Sequence, residues 1–356
     1  MAADAIAYTY RYPFPSSLDA ADDGARLRLA TCTRADEHPH FFAGIPRQPY
    51  LFGKMLLVLS DVVRTRFYDP ERWRVLLDPV VTASESMLRF EGFSSCCGVY
   101  VRADLRAEFF DTEITGRGTT NVDFNDPMRA ALNRLRDTDS VRLAVGRDEV
   151  ALERSGETTV EKKVKLPVRW LKGFGEVQTY QATLEPRIEA PAAEALRFVR
   201  TLPTSSGLRR PAFVVQNGRS LRLSPRERPG TVRLAGTHRA RVIESLLPGA
   251  RTLRLWADDG AGVTAWEVIH DNARIVLVLS PEIHRGFSGE GQLLELLAGG
   301  TWRDLARSVR ARLHWQTHID GDALAAELDV PVERVHDALA ALGASGLAGY
   351  DLDAGA

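Results

Sequence analysis

What is scarce in this sequence sets the first limits. Cysteine occurs three times in 356 residues, too few for a closed disulfide set, which fits a reducing cytoplasm. The formal net charge is -1 at pH 7 and arginine far outnumbers lysine. The molecule as a whole is therefore no polycation, and contact with nucleic acid would need a local basic face. No apolar run reaches the roughly 20 residues of a membrane-spanning helix. The opening "MAADAIAYTYRYPFPSS" lacks the basic-then-apolar order of a signal peptide. What is present is balanced: 44% hydrophobic and 26% charged residues make an ordinary globular composition, long enough for two or three domains.

Metal and catalytic chemistry find little to work with. Cys96 and Cys97 are adjacent, and neighbouring strand residues point to opposite faces, so the pair does not converge on one ion. Cys32 is distant in sequence, and no nearby histidine or basic cluster would activate a thiol. "MLRFEGF" and "CGVYVRADL" read as strands of a hairpin or meander, with one cysteine facing a core. His38 and His40 precede "FFAG". His314 and His318 are four apart but lack the intervening glutamate of a zinc-protease motif. No serine sits in a nucleophile elbow. "GFSGEG", 286–291, lacks the Gly-Lys-Ser/Thr ending of a phosphate loop and reads as a hinge. The expectation is a protein with no enzymatic activity, no cofactor and no metal.

One order recurs along the chain. Residues 121–153 read as a strand, a helix capped near Asn125 or Asp126 with Pro127 in its first turn, then two strands. Residues 231–280 repeat it: a strand, a helix from about Thr237 to Leu247 with Val242, Ile243 and Leu246 inward, then three strands. A third copy spans 179–223, where "TYQATLEP" is a strand, "APAAEALRFVRTL" a helix, and Asn217-Gly218 a hairpin turn. Residues 57–105 supply a fourth. This is an α+β pattern of repeated strand-helix-strand units, with helices on one face of antiparallel sheet.

From 290 the composition changes. "GQLLELLAGG" and "TWRDLARSVRARLHW" read as helices. A helix through Leu328, the tight turn "DVP", a helix with Val335, Leu339 and Leu342 inward, and a short strand form a winged helix-turn-helix pattern. Its second helix offers Arg334 and His336 against Glu333 and Asp337, a weak set for reading a groove.

Across residues 55–283 the unit order resembles the DNA sliding clamps of the proliferating cell nuclear antigen type. "RAEFFDTEITGRGTTNVDFNDPMRAALNRLRDTDSVRLAV" is similar to a second clamp unit, "VKLPVRWLKGFGEVQTYQATLEP" to an interdomain connector, and "RIVLVLSPEI" to a closing strand. The implied organisation is an N-terminal extension (1–54), clamp-like domain 1 (55–160), connector (161–177), clamp-like domain 2 (178–285) and the winged-helix module (290–356). "FEGFSSCCGVYVRADL", "GTTNVDFNDPMRAAL" and "RGFSGEGQ" also resemble the region preceding the finger in bacterial SWIM zinc-finger proteins. The finger itself needs Cys-x-Cys followed by Cys-x-His, which this sequence lacks, so zinc is not carried over. The resemblances imply a homo-oligomer, double-stranded DNA as partner, and protein partners in an ATPase-linked system of the MoxR, AAA+ and von Willebrand A kind.

In a clamp, helices face the duplex and their exposed residues meet phosphates. The candidates are Arg129, Arg134 and Arg136 on the second helix, Arg197 and Arg200 on the third, Arg239 and Arg241 on the fourth, with Arg72 and Arg74 near the first. Helices also turn arginine outward for solubility alone; recurrence on the equivalent element favours function. The connector is the most basic stretch: Lys162, Lys163, Lys165, Arg169 and Lys172 surround Trp170, as a phosphate or partner contact or as a packed link. Two functions follow: a scaffold on duplex backbone without base readout, or a protein–protein adaptor that has lost DNA contact.

Overall fold

A computed structural model describes residues 17–21, 24–29, 31–32, 40–65, 79–84, 86–111, 116–122, 126–139, 141–146, 150–153, 157–158, 168–204, 212–234, 236–258, 262–280, 286–287, 302–313, 319–344, 349–350 and 352. In chain order these form β1 (Ser17–Ala21), β2 (Gly24–Leu29), β3 (Thr31–Cys32), β4 (His40–Gly44), α1 (Pro49–Arg64), β5 (Val80–Ala83), β6 (Met87–Phe93), β7 (Val99–Arg106), β8 (Gly118–Val122), α2 (Asp126–Arg134), β9 (Leu143–Gly146), β10 (Val150–Glu153) and β11 (Glu157–Thr158). Then come α3 (Val168–Gln181), β12 (Glu185–Pro191), α4 (Ala192–Thr201), β13 (Ala212–Asn217), β14 (Ser220–Ser224), β15 (Val232–Leu234), a 3₁₀ helix (Thr237–Leu246), β16 (Thr252–Ala257), β17 (Thr264–Ile269) and β18 (Ala273–Leu279). The helices α5 (Arg303–Leu313), α6 (Gly321–Leu328) and α7 (Val332–Ala344) end the series. No helix of the described residues is long and apolar enough to cross a membrane.

The fold is mixed α and β with antiparallel sheets. The largest runs β12-β16-β17-β18-β7-β6-β5-β8-β3. A second runs β11-β1-β2-β10-β9-β4, and a third β14-β13-β15. The seam of the largest sheet is β7 against β18, from the Val99–Leu279 pair to the Leu105–Ala273 pair. Strands from the two regions expected as separate domains thus share one sheet and one core. The expected boundary between connector and second domain at 177/178 falls inside α3. The expected strand "TYQATLEP" begins only at Glu185; Thr179 to Gln181 close α3. Val177 and Tyr180 are buried there at helical spacing, and this tertiary burial overrides the strand-like composition.

On one face of the largest sheet, Val99, Val101, Ala103 and Leu105 of β7 and Ile275, Leu277 and Leu279 of β18 are buried by strand alternation. α1 covers them with Phe52, Met55, Leu59 and Val62, and Pro49 occupies its first turn, where no N–H is missed. A Cβ at Gly53 would stand 2.7 Å from the carbonyl oxygen of Leu132, so glycine lets α1 and α2 approach. In α4, Phe198 stacks on Trp266 with centroids 6.2 Å apart. The segment expected as an α-helix after Gly236 is a 3₁₀ helix. Its buried Thr237, Ala240, Ile243 and Leu246 recur every third residue, which three residues per turn align on one face. Val242, expected inward, is half-buried.

The opposite face carries Tyr100, Arg102 and Asp104 beneath α3, whose Phe174 packs 4.9 Å from Phe93. α5, α6 and α7 enclose their own core around Val309, Leu324, Val335 and Ala338. Asp320 caps α6 by accepting from the Ala323 N–H at 3.1 Å, and Asp329 ends it at φ 53. α7 packs on α3. Tyr350 then fixes the chain to the sheet, donating its N–H to Gln178 Oε1 at 2.8 Å and accepting from Arg102 Nη1 at 3.1 Å. Among the described residues no strand follows α7.

Candidate nucleic-acid interface

α1, α2, α4 and the 3₁₀ helix form a layer on one side of the largest sheet, α1 touching α2 and the 3₁₀ helix, which in turn touches α4. The layer brings most of the expected arginines to one side but closes their charges. Arg129 donates to Ser60 Oγ at 2.5 Å and pairs with Asp61 at 2.6 Å. Arg64 pairs in the other direction with Asp126. Arg197 pairs with Glu194 at 2.6 Å within its own helix. Glu244 takes both Arg200 at 3.1 Å and Arg241 at 3.3 Å. Arg241 also donates to the Leu202 carbonyl at 2.8 Å, closing the C-terminus of α4. Arg134 and Arg136 are exposed and make no ion pair among the described residues.

Arg239 is a correction. Its side chain is 0% exposed, so it cannot meet a phosphate. It donates to the carbonyl oxygens of Gly98 at 2.5 Å and Ser280 at 2.7 Å, and to Ser280 Oγ at 3.0 Å. Burial pushes its guanidinium down to about 10, with Cys96 acting in the opposite sense, so it stays charged at neutral pH. It ties the 3₁₀ helix to the end of β18 and to the cysteine turn.

Of the connector residues, Lys172 is exposed on α3, and Arg169 and Trp170 lie in the first turn of that helix. Lys162, Lys163 and Lys165 lie outside the described residues, as do Arg72, Arg74, His38, His314 and His318. Lys172 and the helix arginines do not share a wall: α3 covers the sheet face opposite the helical layer.

That opposite face carries ion pairs across six strands. Arg254 pairs with Glu189 at 2.8 Å; Arg274 pairs with Glu267 at 3.4 Å and Asp104 at 3.0 Å; Arg89 and Arg102 reach Asp104 at 2.7 and 3.1 Å. Burial alone would raise the Asp104 carboxyl, but Arg102, Arg89 and Arg274 together hold it well below the usual carboxylate range. A cavity of about 590 Å³ opens beside these ion pairs, lined by Asp104, Glu267, Arg254 and Arg274 among others. Its floor charges are already matched to one another.

Besides Arg134 and Arg136, a group of arginines that lack such partners lies elsewhere. The three-stranded sheet β14-β13-β15 and its loops carry Arg219, Arg222, Arg226, Arg228 and Arg233, all exposed, against the single acidic residue Glu227. None forms an ion pair among the described residues. The register sets Arg222 opposite Val215 and Arg233 opposite Phe213, so both arginines stand on one face, flanking β13. Val214, Val232 and Leu234 of the other face are buried. The loop between β14 and β15 is held by Ser224 Oγ, which accepts from the Arg226 N–H at 3.1 Å, and by Thr231 Oγ1, which accepts from the Arg228 N–H at 3.2 Å.

No protein-family model matches the chain, which leaves the SWIM-type resemblance on the quoted segments alone. No curated protein matches it. Among solved structures, the proliferating cellular nuclear antigen from Entamoeba histolytica is a weak likeness, with TM-score 0.42 and 10% sequence identity over 68% of this chain and 99% of that one.

The helix arginines of the clamp pattern do not include those of the three-stranded sheet. A signal was there: "NGRSLRLSPRERPGTVRL" holds five arginines and one glutamate, an imbalance that a count of carboxylates along the chain exposes.

Proposed function

We propose that this protein is a non-enzymatic scaffold, an adaptor that joins macromolecules and does not grip a duplex along its helices. The observation that carries the reading is the closure of charge between neighbouring helices, Arg129 on Asp61, Arg64 on Asp126, and Arg200 with Arg241 on Glu244. A surface made for phosphates presents cations in excess. This layer spends its guanidinium groups on its own carboxylates, and the whole chain is near neutral. The SWIM-type resemblance supplies the partner class, a MoxR-type AAA+ ATPase with a von Willebrand A protein, and the clamp-like pattern a homo-oligomeric state.

Two measurements test the reading. Co-sedimentation of the purified protein with a MoxR-type ATPase from the same genome gives a discrete complex that survives Arg129→Glu and Arg134→Glu. Duplex binding at low salt changes less than twofold in the double variant Arg134→Glu/Arg136→Glu. The exposed, unpaired side chains of those two arginines favour the second reading, a scaffold that contacts duplex backbone through its helices. A tenfold loss of duplex affinity in that variant, with no complex formed, would establish that reading and remove the adaptor.

A further inference from the structure

We infer that the face of the three-stranded sheet β14-β13-β15 is a docking surface for the phosphate backbone of duplex DNA. The inference goes beyond the adaptor reading, since it gives the scaffold a nucleic-acid partner on a surface the helical layer does not include.

Charge complementarity carries it. Residues 212–234 hold five arginines and one glutamate in a chain whose net charge is -1, so the excess is local and the compensating acid lies elsewhere. All five side chains are exposed and without ion pairs among the described residues, unlike most of the arginines of the helical layer. An arginine fork that has no protein carboxylate is free to take a phosphate with two parallel hydrogen bonds.

Placement adds geometry. Arg222 on β14 and Arg233 on β15 stand on the same face, with β13 between them. Two strand spacings across and a two-residue stagger along the strands put their backbones about 12 Å apart. Arg219 sits in the hairpin turn at one end, and Arg226 and Arg228 in the hydrogen-bonded loop at the other. The charge therefore extends along the sheet as well as across it.

What the face lacks selects the occupant. Among the described residues the exposed large hydrophobic side chain is Tyr50, on α1 and not on this sheet. Single-stranded nucleic acid is held by aromatic stacking platforms, and specific peptides by apolar anchors in pockets. Phe213 and Val215 stand on this face between the arginines, but Phe213 is buried and Val215 half-buried, so a cationic face with no exposed aromatic platform suits a regular polyanion contacted through its backbone, without base readout.

The test is fluorescence anisotropy of the full chain with three labelled probes: a 20-base-pair DNA duplex, a single strand of the same length, and a 20-residue Glu/Asp-rich peptide. The duplex is expected to bind best, with affinity falling roughly a hundredfold between 50 and 200 mM salt, as release of several counterions requires. Arg222→Glu/Arg233→Glu weakens it at least tenfold while circular dichroism and Tm stay at wild-type values, since both side chains are exposed. Arg134→Glu/Arg136→Glu leaves duplex affinity within twofold. No duplex binding at 50 mM salt, binding indifferent to the sheet variant, or preference for the peptide would overturn the inference. Each of these results leaves ATPase co-sedimentation untouched, so the sheet's docking role and the adaptor reading fail separately.

Discussion

The peptide N–H of Phe287 donates to the carbonyl oxygen of Cys97 at 2.7 Å. That bond pins residues 286–287, the start of the segment expected as a hinge, onto the turn holding both cysteines. Cys97 is buried at φ 56, and Cys96 is half-buried beside Ser94. Gly286 approaches this turn so closely that a Cβ would stand 2.6 Å from the Cys97 carbonyl carbon and oxygen. Phe287 then enters the aromatic cluster with Phe93 and Tyr180. The cysteine turn is a structural latch.

Gly286→Ala should therefore destabilise the protein by about 3 kcal/mol, combining left-handed backbone strain at φ 56 with a collision against backbone atoms. Urea denaturation measures it. A loss under 0.5 kcal/mol would mean that the turn opens freely.

Asp104→Ala should cost about 3–5 kcal/mol, because it strands Arg102, which is 0% exposed, beside Arg89 and Arg274. Asp104→Asn should cost less, since the amide oxygen still accepts a hydrogen bond. Equal effects of the two substitutions in chemical denaturation would show that the charge is immaterial.

Arg239→Met should cost about 3 kcal/mol by removing the guanidinium donor to the Ser280 carbonyl and one of three donors to the Gly98 carbonyl. Its duplex affinity, measured below the lowered Tm, should equal wild type. A specific loss of affinity in a folded Arg239→Met protein would return this residue to the interface.

His270 predicts a pH response. Burial lowers its pKa below the ordinary 6.5, against the opposing pull of the Gly249 and Leu246 carbonyls and Asp271. The unfolded chain takes up this proton below about pH 6.5, where the folded chain still excludes it. The stability involved is whole above that pH and is lost as pH falls toward the folded value. Between pH 7.5 and 5.5 the Tm should drop further in wild type than in His270→Gln. Parallel curves would contradict it.

The strands and helices of residues 80–280 were largely legible because their hydrophobic periods are local. Val99 to Leu105 and Ala273 to Leu279 announce themselves as strands; nothing local says that they pair with one another. The 3₁₀ helix resembles an α-helix in sequence because Ile243 and Leu246 alone fit either period, and the three-residue register shows only once Thr237 and Ala240 are known to be buried; "TYQA" resembles a strand because the ring that packs on Tyr180, Phe287, lies far along the chain. Arg239 looked like its exposed neighbours, since the Ser280 that receives it is 41 positions away. The arginines of β14 and β15 are legible as a local excess of cations, but a clamp pattern assigns the duplex contact to helices and gives strands no part in it.

The seam between Val99 and Leu279 also bears on how the molecule is made. Until Leu279 leaves the ribosome, β7 has no neighbour on that side, and a bare strand rim is a template for whatever chain comes next. Nascent copies crowded on one message would find each other before they find their own C-terminal halves. Slower initiation, which spaces the ribosomes apart, should raise the soluble yield more than any change to the surface of the finished protein.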